Sequence, residues 1–183
     1  RFWAGTYAEH RGTELGGLYK LEDNGQSTKM LSDVRISNSL CWSPDGQIVY
    51  FADTAKQIIQ RGSFAPETGT IKDLQPFIKT NSNAFPDGSC IDSEGYLWNA
   101  QWGSSCVKRY SPEGEEVLSL PVPCKQPSCV SFGGPKLQHL FITSARKDLN
   151  EQEIAKQPDN GSVFIYTTPF TGIAESICKL TPN

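Results

Sequence analysis

Asn38-Ser39-Leu40-Cys41-Trp42-Ser43-Pro44-Asp45-Gly46 is the stretch on which the fold turns, because its pattern returns twice further along the chain. It lines up with Asp87-Gly88-Ser89-Cys90-Ile91-Asp92-Ser93-Glu94-Gly95, and again with Gln126-Pro127-Ser128-Cys129-Val130-Ser131-Phe132-Gly133-Gly134. A repeat of about 40 to 50 residues marks an architecture built from stacked units. After each copy comes a second apolar run: Ile48 to Asp53, Tyr96 to Gln101, and Leu140 to Ser144. Pro-Asp-Gly, Ser-Glu-Gly and Gly-Gly-Pro separate the runs, with glycine offering the positive φ that a tight hairpin needs.

Working outward, a third strand is expected at Gln57 to Phe64, Val107 to Tyr110 and Ser162 to Thr167, and an outer strand at Ile71 to Ile78, Glu116 to Leu120 and Ile173 to Leu180. Four short antiparallel strands rich in aromatic and β-branched residues describe a propeller blade, so the fold class is all-β and the architecture a β-propeller. Phe2 to Tyr7 reads as the second strand of an earlier blade whose third strand is Gly17 to Leu21 and whose first strand is missing. One domain, 1–183, thus holds about three and three-quarter blades, and we expect further N-terminal blades in the intact ring. One stretch, Asp148 to Pro158, breaks the β pattern as a short helix, with Asn150 and Glu153 at its start and Pro158 as its stop.

The chain has 183 residues, 37% hydrophobic and 20% charged, which suits an ordinary globular domain. Its net charge of −3, without a Lys/Arg cluster, argues against nucleic acid and anionic membrane surfaces as partners. No apolar run approaches the roughly 20 residues of a membrane-spanning helix. The six cysteines include no CxxC pair for zinc and are expected as buried thiols in a reducing compartment, the cytoplasm. With only His10 and His139, and no GxSxG, GxGxxG or Walker loop, serine-nucleophile chemistry and nucleotide binding have little material.

Asn38, Asp87 and Gln126 occupy the same place in three units, at the N-terminal end of the strand that lines a propeller's channel, and are expected to converge there. An amide and a carboxylate oxygen aimed at one axis are hard donors, suited to Ca²⁺, Mg²⁺ or Mn²⁺, with Zn²⁺ also open. The same residue types are also ordinary turn formers. Asp45 and Asp92, in the hairpin turns that follow, read as turn formers, and Trp42, Trp98 and Trp102 as packing between blades.

At this point the sequence resembles the gluconolactonase, regucalcin (senescence marker protein) and luciferin-regenerating enzyme family. The resemblance runs through Arg1-Phe2-Trp3-Ala4-Gly5-Thr6, Gly17-Leu18-Tyr19, Ile36-Ser37-Asn38-Ser39-Leu40, Phe85-Pro86-Asp87-Gly88, Gly95-Tyr96-Leu97-Trp98, Thr143-Ser144-Ala145-Arg146 and Gln157-Pro158. It implies a six-bladed propeller that binds one divalent metal ion and hydrolyses sugar lactones to aldonic acids, or, as the alternative, a non-enzymatic calcium-binding regulatory propeller. Asn38 corresponds to the family's asparagine ligand and Asp87 to its aspartate ligand and general base. The third ligand, a glutamate, is expected upstream of Arg1. Where animal members carry Met-Ala-Glu-Glu this chain has Tyr7-Ala8-Glu9-His10, which makes Glu9 and His10 the candidate substrate contacts. Ser39 stands where glycine usually follows the ligand asparagine. A ring lacking blades exposes apolar faces, so the expected partners are the sugar lactone and either the missing blades or a second copy of the chain.

Overall fold

Each expected hairpin closes on its glycine: Gly46, Gly95 and Gly134 take φ of 69°, 85° and 82°. A computed structural model describes residues 1–8 and 15–177, which form four antiparallel sheets whose strands pair in chain order. The first sheet has β1 (Phe2–Gly5), β2 (Gly16–Leu21) and β3 (Ser27–Val34). The second has β4 (Ser37–Trp42), β5 (Ile48–Asp53), β6 (Ile58–Ala65) and β7 (Thr70–Lys79). The third has β8 (Phe85–Ile91), β9 (Leu97–Trp102), β10 (Cys106–Tyr110) and β11 (Glu116–Pro121). The fourth has β12 (Pro127–Gly133), β13 (His139–Ser144) and β14 (Val163–Thr167), with α1 (Glu151–Lys156) between β13 and β14.

The helix starts as its sequence foretold. Asn150 Oδ1 accepts from the Glu153 N–H at 3.0 Å, while the Glu153 carboxylate accepts from the Asn150 N–H at 3.0 Å, so two otherwise orphaned donors are satisfied reciprocally.

Two outer strands depart from the sequence reading. Ser27–Val34 forms β3, although its mostly exposed side chains give no alternating apolar signal. The strand expected at Ile173 to Leu180 is absent over 173–177, and 178–180 lie outside the described residues. The chain there turns to the neighbouring sheet instead. Phe170 packs on Trp98 with ring centroids 5.5 Å apart, the Thr171 carbonyl accepts from the Ser93 N–H at 2.8 Å, and Gly172 bridges Asp92. Burying an aromatic side chain stabilises by about 1.5–3 kcal/mol, more than one further ladder hydrogen bond would contribute.

The core lies in the seams between sheets. Leu18, Val34 and Phe51 join the first sheet to the second; Tyr50, Ile59, Ile91 and Leu97 join the second to the third; Trp98, Val107, Val130, Leu140 and Ile142 join the third to the fourth. The aromatic residues work across these seams as expected. Trp42 meets Trp3 at 6.0 Å, and Trp98 meets Phe132 edge-on at 5.6 Å, whereas Trp102 is half-buried at the end of β9. Within the array β8 packs between β4 and β12, which brings the three repeated stretches side by side.

Candidate functional site

The repeated stretches share one irregularity. β4 carries one extra residue between Asn38 and Cys41, β8 between Pro86 and Ser89, and β12 between Pro127 and Cys129. Each is a β-bulge, a device that re-aims a side chain at a sheet end. The second bulge sits against the fourth sheet: a Cβ on Gly88 would fall 2.7 Å from Cys129 Cβ and 2.8 Å from its Cα, so only glycine fits beside Asp87.

Asn38 and Asp87 face one another as expected, close enough for the Asn38 side chain to lower the proton affinity of the Asp87 carboxyl. The orientation of Asn38 is fixed by Thr54, whose hydroxyl donates to the Pro86 carbonyl at 2.7 Å and therefore accepts from Asn38 Nδ2, also at 2.7 Å. Burial pushes the Asp87 carboxyl up to about 7, against the lowering influence of the Gly88 N–H and of Asn38. Gln126 does not join them. Its Nε2 donates to the Lys147 carbonyl at 3.0 Å, and its buried Oε1 has no hydrogen-bond partner among the described residues.

A buried polar network supports the pair from below, and the sequence reading missed it. Ser39 Oγ donates to the Asp87 carbonyl at 2.6 Å; Asn99 Nδ2 donates to the same carbonyl at 3.2 Å and to Ser89 Oγ at 2.9 Å; Gln101 Nε2 holds Asn99 Oδ1 in turn. Ser39 has a φ of 54°, in the left-handed region that favours glycine, so its hydroxyl contacts offset a strained backbone. The signal for the network was present in β9, where Asn99 and Gln101 interrupt an apolar run and both prove buried. Glu9 and His10, the candidate substrate contacts, lie outside the described residues.

A carboxamide and a half-buried carboxylate facing one another, with no cation paired to the carboxylate among the described residues, form a hard-oxygen donor set that suits a divalent ion. They are two donors, and no group of three His, Cys, Asp or Glu side chains able to hold a metal occurs among the described residues. Asp45 and Asp92 are turn formers as read. Asp45 accepts from Ser43 Oγ at 2.6 Å and from the Gln47 N–H at 3.0 Å, while Asp92 accepts from the N–H groups of Glu94 and Tyr96, each at 3.0 Å.

Residues 1–146 match the family described as SMP-30/Gluconolactonase/LRE-like region. The chain belongs to this family. It is 37% identical over 171 residues to L-arabinolactonase of Azospirillum brasilense, covering 92% of this chain and 56% of that protein. It is 35% identical over 179 residues to 6-deoxy-6-sulfogluconolactonase of Pseudomonas putida, covering 97% of this chain and 61% of that one. The solved structure of a calcium-binding protein, regucalcin, from Agrobacterium tumefaciens superposes with a TM-score of 0.89 at 36% identity, over 94% of this chain and 59% of that one. The chain therefore spans a little over half the length of these family members.

Proposed function

We propose that this chain carries the larger part of a six-bladed β-propeller that hydrolyses sugar lactones at a divalent-metal site held by Asn38 and Asp87, with a third ligand from outside the chain. The observation that carries the reading is the Asp87 carboxyl. It is half-buried, it faces the Asn38 amide from the adjacent sheet, and in the metal-free protein burial pushes it up to about 7, so a carboxyl with no cationic partner among the described residues stands ready for an ion or a proton. The similarity to sugar lactonases supports the choice of substrate.

In this reading Asp87 takes a proton from water as the water oxygen bonds to the lactone carbonyl carbon. The ring C–O bond then breaks, and the departing alkoxide takes the proton back from Asp87, leaving the aldonic acid. A bound divalent ion would supply Lewis-acid polarisation of the carbonyl. Asn38 orients the carboxylate, Thr54 orients Asn38, and Ser39 with Asn99 fixes the main chain that carries Asp87. Calcium, zinc, manganese and magnesium all suit the oxygen donors.

The first sheet stops at β1, where Phe2 is 52% exposed, and a cavity of about 300 Å³ lined by Trp3, Leu18, Leu40 and Phe51 opens beside Asn38. In the proposed ring, further blades or a second copy of the chain cover Phe2 and the β1 edge. Among the described residues no helix is long and apolar enough to cross a membrane. Cys41, Cys90 and Cys124 are buried free thiols, Cys106 is half-buried and Cys129 is exposed, and free thiols suit a cytoplasmic setting.

Turnover of an aldono-lactone panel tests the reading, with EDTA treatment followed by add-back of each ion. Loss with EDTA and recovery with one ion is the expected result; turnover untouched by chelation overturns the mechanism. A second reading, a calcium-binding regulatory propeller, draws on the likeness to the Agrobacterium calcium-binding protein. Ion binding without turnover of any lactone would select it.

A further inference from the structure

The sequence holds two Asn-Gly pairs, Asn24-Gly25 and Asn160-Gly161, and the fold gives them different freedom. In such a pair the backbone nitrogen of the glycine can attack the asparagine carboxamide carbon, because no Cβ crowds the ring that closes. Closure needs an accessible peptide, a carboxamide free to turn, and a donor for the oxyanion that develops on the way.

Asn160 lacks the first two. It is 1% exposed, its Oδ1 accepts from the Lys125 N–H at 2.7 Å, and its Nδ2 donates to the Gln157 carbonyl at 2.7 Å. The Gly161 N–H donates to Ser144 Oγ at 2.9 Å, and the Arg146 side chain lies 3.2 Å from the place where a Cβ on Gly161 would stand. Both ends of this carboxamide must be released before its carbon can turn to the Gly161 nitrogen, which requires opening of the buried loop that follows α1.

Asn24 stands at the tip of the β2–β3 hairpin, where Asp23, Asn24, Gly25 and Gln26 are all exposed. Gly25 has a φ of 81°, and nothing lies within 4 Å of the place its Cβ would take. Asn24 Oδ1 accepts from the Gln26 N–H at 3.0 Å, so a donor already faces the oxygen that becomes negative as the ring closes. The Gly25 N–H donates to the Glu22 carbonyl at 2.9 Å within a single exposed turn, whose opening uncovers no core. The tip is remote from Asn38: Gly5 pairs with Leu18 and abuts Ser37, whereas Phe2 pairs with Leu21 at the other end of the sheet.

We propose that Asn24-Gly25 is a modification site at which the folded chain alters itself. The Gly25 nitrogen bonds to Asn24 Cγ, the Cγ–Nδ2 bond breaks, and ammonia departs with the Gly25 amide proton, leaving a succinimide. Water then adds to one of the two ring carbonyls and opens the ring, giving aspartate or isoaspartate at position 24. Either product adds one negative charge to a chain of net charge −3. The isoaspartyl form also presents a free main-chain carboxylate, the group that an S-adenosylmethionine-dependent isoaspartyl methyltransferase takes as its substrate.

Incubation of the folded protein at mildly alkaline pH tests this, beside a sample unfolded in guanidinium. Both are then digested, methylated with isoaspartyl methyltransferase and radiolabelled S-adenosylmethionine, and mapped by mass spectrometry. In the folded sample the peptide containing Asn24 should gain label at least about tenfold faster than the one containing Asn160, a ratio that needs only about 1.4 kcal/mol of extra protection at the buried site. In the unfolded sample the two peptides should react at similar rates. Asn24→Gln should remove the first signal, because its extra methylene takes the carboxamide out of position for succinimide closure. Equal labelling of both peptides in the folded protein overturns the proposal. So does an Asn24 peptide that gains mass without label, or that stays unchanged while the unfolded sample reacts.

Discussion

Strand β8 carries Asp87 near its start and is followed directly by Asp92, and the half-buried and the fully buried carboxyl group are treated in opposite ways. Asp92 is fully buried and answered on every side. Arg109 Nε donates to it at 2.8 Å, Trp98 Nε1 at 2.9 Å, and two backbone N–H groups at 3.0 Å, while the guanidinium lies 3.7 Å from the centroid of Tyr96 and 3.9 Å from that of Phe170. Asp87 has an amide and one backbone N–H, and its proton affinity rises. The first arrangement fixes structure because every acceptor is matched. The second leaves a carboxyl ready for a proton or an ion, at some cost in stability.

Breaking the Asp92 end should have the larger effect on folding. Asp92→Ala leaves the Trp98 N–H and Arg109 Nε without their acceptor, with only the exposed Glu94 still pairing the buried guanidinium, and should destabilise by about 3 kcal/mol, read from the denaturant midpoint. Activity per folded molecule should stay near wild type. At the other end the outcome inverts. Asp87→Asn should lower lactone turnover by about a hundredfold or more, on the scale of a lost general base, while the denaturant midpoint holds or rises. Equal damage to both properties in both variants would erase the contrast.

The proton itself sharpens it further. Because the Asp87 carboxyl titrates near 7 in the folded chain against an ordinary 3.8, the folded state keeps a proton between those values that the unfolded state has released. Its contribution is therefore full below about pH 4 and is lost as pH rises through about 7. In metal-free protein, Asp87→Asn should raise the melting temperature at pH 8, at about 2–4 °C per kcal/mol recovered, and change it little at pH 4. The smallest expected effect is at Ser39. Ser39→Ala keeps the positive φ and removes the hydroxyl, whereas Ser39→Gly relieves the backbone. The alanine variant should be the less stable of the two, by about 1 kcal/mol, in thermal melts.

Much of this contrast was legible in the chain. The repeat, its glycine turns and the α1 capping box are local features, each encoded by residues that act on their near neighbours, and each appears where the sequence places it. The meeting of Asn38 and Asp87 followed from register across the repeats. The role of Asp92 was only half legible: a turn aspartate is recognisable from Ser93-Glu94-Gly95, but Arg109 reaches it from another strand. β3 escaped notice because an outer strand with one solvated face needs few apolar residues. The end of the fourth sheet was misread for the opposite reason, since Ile173 and Ile177 suggest a strand while the contact of Phe170 with Trp98 on another sheet takes the chain away. Gln126 shows the limit of register itself, because equal position in the repeat does not oblige an equal partner.

The three bulges carry a consequence for how such a chain can vary. A residue beside an unpaired insertion is released from the two-residue alternation that binds every other position of the strand to one face. Asp87 lies within its bulge, Asn38 is the last paired residue before its own, Gln126 precedes β12, and the ladder resumes beyond each bulge at Cys41, Ser89 and Cys129. The repeat thus separates an inherited chassis from an exchangeable tip. Duplicated units can diverge in chemistry at one residue apiece while the strands beneath go on pairing as before.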